Sequence, residues 1–303
     1  MPELPDIEVY LDALREFVVG TPLQRVVVRS PSLMRTVDPP LAAVEGRLVE
    51  GVRRIGKRLV FDVAGGVSIV IHLMIAGRLH WKKPGVKPAG KNDLAAFAFE
   101  HGTLMLTEAS TKKRATLHVV RTEEAVAAFS RGGLDVLTAD LDAFRAVLKR
   151  ENHTLKRTLT DPRLFDGIGN AYSDEILHAA CLAPTTWSTR LDEEGVVRLY
   201  EATRAVLVGG LETLRKQRKG FPEKVTAFRP EFAVHGKYKI PCPRCQTPVQ
   251  RIAYADNETN YCPTCQTGGK LLADRSFSRL LRDDWPKTLD ELEALKERQR
   301  QGG

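Results

Sequence analysis

The sequence predicts an α+β protein: an N-terminal β-sandwich with a leading helix, then a helical half that ends in a small four-cysteine ribbon. Three observations predict it. Short valine-rich runs punctuated by glycine, such as 46–52, 58–63 and 67–72, fill positions 23 to about 120, the pattern of a sandwich or barrel. From Gly132 to about Arg218 the apolar residues recur at helical spacing, with Leu141, Phe144, Val147, Leu148 and Leu155 in one register and Val196, Leu199, Val206 and Leu211 in another. Two Cys-x-x-Cys pairs, Cys242/Cys245 and Cys262/Cys265, then stand sixteen residues apart.

The leading helix is read from Ile7, Val9, Tyr10, Leu14, Phe17 and Val18, which stop before Gly20. Pro5 suits a first turn, and Asp6 and Glu8 suit the positive end of the helix dipole. Ahead of them, Pro2 invites removal of Met1, which leaves a free secondary amine. An α-amino group titrates near pH 8, so roughly a tenth of it is neutral at pH 7, against well under a thousandth of an ordinary lysine. Such an amine can attack a sugar aldehyde, and the iminium formed is a permanent cation suited to β-elimination. Glu3 stands next to it as a proton carrier.

The balance of charges narrows the partner. There are 46 Lys and Arg against 38 Asp and Glu, net +8, with a pI near 9.3, which favours a polyanion. No apolar run reaches the roughly 18 to 20 residues that span a bilayer, and the amino terminus has no apolar signal core. The expectation is a cytoplasmic, nucleoid-associated monomer with no membrane partner and no small-molecule cofactor. Four thiolates in two tight pairs make a closed tetrahedral site for one structural Zn2+, which holds a hairpin too small to fold unaided. Tyr254, Thr259, Asn260 and Tyr261 are read as strand positions on that hairpin, and Cys181, away from the others, as a buried small apolar residue.

Two further stretches bear on phosphate. Arg53, Arg54, Lys57 and Arg58 surround Gly56 at an expected strand-to-strand turn. Gly167-Ile168-Gly169-Asn170 precedes a helix, with Asn170 read as its cap, and exposes backbone N–H groups.

Taken in order, Pro2-Glu3-Leu4-Pro5, the Arg-Arg-x-Gly-Lys turn, Gly-Ile-Gly-Asn-x-Tyr at 167–172 with Lys156 upstream, and the paired cysteine knuckles resemble the formamidopyrimidine-DNA glycosylase and endonuclease VIII family. The resemblance covers about 265 residues and implies a helix-two-turn-helix domain before the zinc ribbon. It further implies a bifunctional DNA glycosylase and AP lyase of base excision repair that acts on damaged DNA, with β-elimination and δ-elimination at the abasic sugar. Pro2, Glu3 and Lys57 carry over as catalytic residues; Lys156, Gly169 and Asn170 carry over as phosphate contacts. Ile75 aligns with the methionine that the family inserts into the base stack, where bulk matters more than sulfur. Lys112, Lys113 and Arg114 lie where part of the family has an aromatic void-filling loop. His72 and the aromatics Phe221, Phe228 and Phe232, in a linker that covers the flipped base in the family, are further candidates.

Departures mark a divergent member. The loop at 108–115 has no phenylalanine, Asp6 replaces a glutamate, and Asn257 stands where the family has a phosphate-gripping arginine. Thirty-eight residues follow Cys265, including Lys270, Arg275, Arg279, Arg282 and a helix expected from Thr288 with a capping box to Glu291. The expected division is 1–125 catalytic sandwich, 126–220 helix-two-turn-helix domain, 221–268 linker and ribbon, and 269–303 a basic and charged extension that takes over from the missing arginine. These departures also leave room for a damaged-DNA or DNA-structure binding protein with little catalysis. Within the enzyme class they leave room for a glycosylase of bulky, crosslinked or oxidised pyrimidine lesions.

Overall fold

The structure is a computed structural model that describes every residue except 224, 226–227, 255–256, 273–284 and 302–303. The chain divides into two units, Met1–Gly133 with Val208–Ala227, and Leu134–Leu207 with Phe228–Gly303.

The first unit is a sandwich led by α1 (Leu4–Phe17). One sheet has five strands in the order β1-β3-β4-β5-β9, where β1 is Pro22–Leu23, β3 Arg47–Ile55, β4 Arg58–Val63, β5 Val67–His72 and β9 Thr116–Val120. The other has the order β2-β7-β8-β6, from Arg25–Val28, Asp93–Phe99, Gly102–Glu108 and Gly77–Lys82 respectively. The valine-rich runs are therefore strands, as their patterning predicts. Ile69 and Ile71 of β5 face the main core while Val70 faces a second cluster with Val60, Val120 and Val126, the last on α2 (Glu123–Ala127). Cover on both faces is why β5 reads as a continuous apolar run.

Helix α1 buries Ile7, Tyr10, Leu11 and Leu14 in the main core, each burial contributing about 1.5–3 kcal/mol for the larger side chains. Its start is fixed by Asp6, whose carboxylate accepts the Glu3 N–H at 2.8 Å as one half of a capping box. Tyr10 is fully buried, and its hydroxyl accepts the Leu79 N–H at 3.3 Å. That bond ties β6, and the tight turn before it, to the helix that carries the amino terminus.

The second unit contains α3 (Leu141–Arg150), α4 (Leu155–Thr160), α5 (Asn170–Ala179) and most of α6 (Glu193–Gln217). Asp140 caps α3 through the Ala143 N–H at 2.8 Å, and Phe144 packs on Phe165 and Tyr200. The ribbon pairs β10 (Gln250–Ala253) with β11 (Glu258–Tyr261), Gln250 opposite Tyr261. Thr259, Asn260 and Tyr261 are strand residues as expected; Tyr254 stands one residue past β10 and is exposed. Helix α7 (Pro263–Thr267) follows in the second knuckle, and α8 (Leu289–Gln301) begins where the capping box predicts, with the Glu291 N–H on Thr288 Oγ1 and the Lys287 N–H on Glu291. Arg275, Arg279 and Arg282 lie outside the described residues.

Candidate active site

The residues singled out from the sequence fall into two groups, one in each unit. In the first, Pro2 and Glu3 are buried at the start of α1, with Glu3 3% exposed. The Met1 amine is pushed below its ordinary pKa of 8.0 mainly by burial; the Arg78 and Lys57 cations push the same way, and the Glu3 and Asp6 carboxylates oppose them. These four side chains and the terminus thus lie within electrostatic reach of one another. Lys57 is brought there by a two-residue hairpin turn between β3 and β4, in which Ile55 pairs with Arg58 and Gly56 takes φ +62°.

The turn does not present all four of its cations. Arg53 is held by Asp62 and Glu123, at 2.9 Å and 2.6 Å. Arg54 is 9% exposed and bonds Glu8 on α1 at 2.6 Å, and Arg58 donates to the Phe129 carbonyl and lies over its ring. Arg53 and Arg54 thus pair with carboxylates on β4, α2 and α1, and Arg58 with the loop after α2, which corrects the expectation that the whole cationic turn faces phosphate; Lys57 is half-buried.

The turn from β5 to β6 carries Ile75, 57% exposed. Met74 takes φ +52° and gives its N–H to His72 Nδ1 at 3.0 Å. Gly77 admits no side chain, because a Cβ there would stand 2.2 Å from the Leu73 carbonyl oxygen. Arg78 folds back to donate to the carbonyls of Gly77 (2.6 Å) and Ile75 (3.3 Å). The wedge candidate is thus held from three sides.

Burial, with Arg58 and Lys57 beside it, lowers the pKa of His72 to about 4. An unfolded histidine takes up its proton near pH 6.5. The folded protein forgoes that proton as pH falls from 6.5 to 4, so the stability contributed by neutral His72 is complete above pH 6.5 and lost on acidification, roughly 2 kcal/mol by pH 5. Denaturant unfolding of the protein and of His72→Asn at pH 7 and pH 5 should show a smaller acid loss in the variant; equal losses would contradict the assignment.

The loop at 108–115 is organised by a residue that the sequence reading passed over. Glu108, 1% exposed at the end of β8, accepts the N–H groups of Arg114 (2.9 Å) and Ala115 (3.1 Å) and the Ser110 hydroxyl (3.0 Å). Lys113 folds back onto the Glu108 carbonyl and Asn92, while Lys112 and Arg114 point to solvent. Of the linker aromatics, Phe221 packs against Tyr10, Phe17 and Trp81 in the first unit, Phe232 packs on Tyr172 in the second, and Phe228 is 75% exposed.

In the second unit α5 is buried along nearly its whole length, so its polar side chains need partners. Its cap is Gly169, and Asn170, expected as the cap, is the first helical residue, with its side-chain amide on the Glu258 carbonyl at 2.9 Å. Lys156 is 13% exposed and donates to the Asn170 carbonyl at 2.7 Å and to Asp174. Asp174 also accepts from His235 (2.8 Å) and the Asn260 N–H (3.1 Å). Glu175 accepts three consecutive N–H groups, from Ala233, Val234 and His235, at 2.7–2.9 Å. Burial pushes the Glu175 pKa up from 4.5, and those N–H groups work against the rise.

The four ribbon sulfurs lie within 4.8 Å of one another, with Cys242 to Cys265 at 3.9 Å and Cys245 to Cys262 at 3.3 Å. A tetrahedron with Zn–S bonds of about 2.3 Å has edges of about 3.8 Å, so the residues fit one structural zinc. Cys181 is not buried: it takes φ +55° at the end of α5, is exposed, and faces the Arg244 guanidinium at 2.5 Å. A left-handed residue just past a helix end turns its side chain outward, which its composition class does not reveal.

A sandwich with an acidic helix start, a buried helical hairpin and a four-thiolate ribbon define the zinc-ribbon, helix-two-turn-helix class of proteins. Family models match in the same order: the formamidopyrimidine-DNA glycosylase N-terminal domain over 1–116, its H2TH domain over 134–219, and a zinc finger found in FPG and IleRS over 239–268. The formamidopyrimidine-DNA glycosylase of Thermus thermophilus is 35% identical over 278 residues, 89% of this chain and all of that one. That of Thiobacillus denitrificans is 30% identical over 274 residues, 88% and 100%. The crystal structure of the MutM (Fpg) protein from Thermus thermophilus superposes with a TM-score of 0.74 at 33% identity, covering 88% of this chain and 98% of that one. A Lactococcus lactis Fpg variant in complex with a Fapy-dG-containing DNA gives 0.78 at 25% identity, covering 88% and 100%. The chain belongs to the formamidopyrimidine-DNA glycosylase family.

Proposed function

We propose that this protein is a bifunctional DNA glycosylase and AP lyase of base excision repair, acting on damaged DNA. The observation that carries this reading is the buried Pro2-Glu3 start of α1, set among Lys57, Arg78 and Asp6. With Met1 removed, the Pro2 amine attacks C1′ of an extruded nucleotide. The base leaves C1′ with the bonding pair of its glycosidic bond, the bound amine gives up its proton, and Glu3 protonates the ring oxygen as the C1′–O4′ bond breaks and the nitrogen lone pair closes the iminium. The iminium then acidifies the adjacent C2′ hydrogen; its loss expels the 3′ phosphate in β-elimination, and a second elimination releases the 5′ phosphate. A terminal α-amine, with its ordinary pKa near 8, supplies far more neutral nucleophile at pH 7 than a lysine does. Lys57, Lys156, Gly169 and Asn170 hold phosphates, Lys112 and Arg114 add to the electrostatic grip, and Ile75 fills the gap left by the extruded base.

The sandwich at 1–125, the helical domain at 126–220 and the linker and ribbon at 221–268 act as a cytoplasmic, nucleoid-associated monomer. No described helix is long and apolar enough to cross a membrane. The extension at 269–303 takes over from the arginine that Asn257 lacks. A damage-binding protein with little catalysis is the second reading, supported by the substitutions at the DNA-gripping positions: Ile75, the loop at 108–115 without a phenylalanine, and Asn257.

The test is a panel of single and double strands carrying oxidised purines, oxidised pyrimidines, bulky adducts and crosslinks. It is read for base release and strand scission, with the full chain and with a chain ending at Leu272, which keeps the Leu272 N–H on the Tyr261 hydroxyl. Scission at one or more lesions, with duplex affinity falling at least tenfold on truncation, is expected. Tight binding without scission selects the binding reading, and unchanged affinity after truncation removes the role of the extension.

A further inference from the structure

Helix α5 is fastened to the ribbon at both ends, and its C-terminal fastening reaches the metal-binding sulfurs. His178, on the last turn and 5% exposed, places Nε2 3.2 Å from Cys242 Sγ. Arg244, between the first two cysteines, donates to the carbonyls of His178 (3.1 Å) and Ala179 (3.4 Å) in the last turn of α5. From the second knuckle, Gln266 donates to the Leu182 carbonyl at 2.9 Å and accepts the Cys262 N–H at 2.8 Å.

We infer that His178 is a positioning residue of the zinc site, with its Nε2–H donating to the Cys242 thiolate and making α5 part of the metal's outer shell. A metal-bound sulfur carries no proton, so the hydrogen between these two atoms belongs to the imidazole. Four thiolates around a dication leave two negative charges, and Cys242 is fully buried. Charge of that kind needs N–H donors from the surrounding shell. The consequence is mechanical as well as electrostatic. Metal occupancy fixes the last turn of α5, while Asn260 and the Glu258 carbonyl fix its first turn through Asp174 and Asn170. The helix, whose start the proposed function assigns to phosphate, is thereby held from the ribbon at both ends. This rests on the zinc assignment and is independent of the catalytic reading.

The test compares His178→Phe, which fills the same space without a donor, with His178→Gln, which restores an amide N–H. Zinc loss to a chelator and the sulfur-to-metal charge-transfer band of the cobalt(II)-substituted protein are measured for each. His178→Phe is expected to weaken zinc affinity 10–100-fold and to move the band to lower energy, with His178→Gln close to the parent. On the unaltered zinc protein, nitrogen-15 spectra of the imidazole should show the proton on Nε2, protected from exchange; this arm stands even where a variant fails to fold. Unchanged zinc retention and spectrum in His178→Phe, or a proton on Nδ1 with Nε2 bare, overturns the inference.

Discussion

Glu3→Gln is expected to slow release of a damaged base by about 10²–10⁴-fold, the range that a positioned general acid contributes. Strand scission at a preformed abasic site should persist, since no base has to be expelled there. The geometry also ranks the neighbouring carboxylate. Asp6 spends its buried oxygen on the Glu3 N–H, and an asparagine carbonyl can accept the same bond. Asp6→Asn should therefore cost far less than Glu3→Gln, and less than the about 1 kcal/mol of losing a cap outright. Single-turnover base release and abasic-site scission, measured side by side, check both statements. Equal losses in the two variants would show that Asp6 takes part in the chemistry, and loss of both activities in Glu3→Gln would point to collapse of the helix start.

Removal of the metal carries the other large effect. Structural zinc contributes about 10–16 kcal/mol to the folding of small ribbon modules at neutral pH, and among the described residues the ribbon's core is the small cluster of Val234, Val249, Cys242 and Cys262. Cys262→Ser, or exhaustive chelation, should unfold the ribbon. The Asn170–Glu258 and Asp174–Asn260 ties would go with it, which releases the first turn of α5. Duplex affinity should fall at least 100-fold, while the sandwich, which has its own core, keeps its unfolding transition. Fluorescence anisotropy on an abasic duplex and denaturation followed at Trp81 measure the two halves. Full affinity in the metal-free protein would show that the ribbon does not support the DNA-facing surface.

Features with fixed spacing were legible in the sequence. The strands of the sandwich, the glycine turn at Lys57, the cysteine knuckles and the capping box of α8 each depend on neighbours within a few residues, and each stands where the pattern predicts. Features whose partner lies far along the chain were not. Glu108 reads as the end of a strand until its carboxylate is seen to gather the loop at 110–115. Asp174 and Glu175 read as ordinary polar helix residues, yet their partners are His235 and the 233–235 backbone, about sixty positions on. The same cause explains the overestimated basic turn, because the carboxylates that hold Arg53 and Arg54 come from a paired strand, from α2 and from α1. A signal did exist for the buried pair. Two adjacent carboxylates on a helix that also carries Ala171, Tyr172, Ile176 and Leu177 must, if that helix is buried, be either satisfied or functional.

The proposal depends most on an unblocked Pro2. The direct measurement is borohydride trapping on an oligonucleotide carrying an abasic site, using the protein with Met1 removed, a copy with Met1 retained, and Pro2→Gly. A covalent protein–DNA adduct is predicted for the free terminus and should be greatly reduced in both controls, because an amide nitrogen cannot form the iminium and a primary glycine amine forms only a titratable imine. Absence of an adduct from the Met1-free protein, with duplex binding intact, would contradict the account.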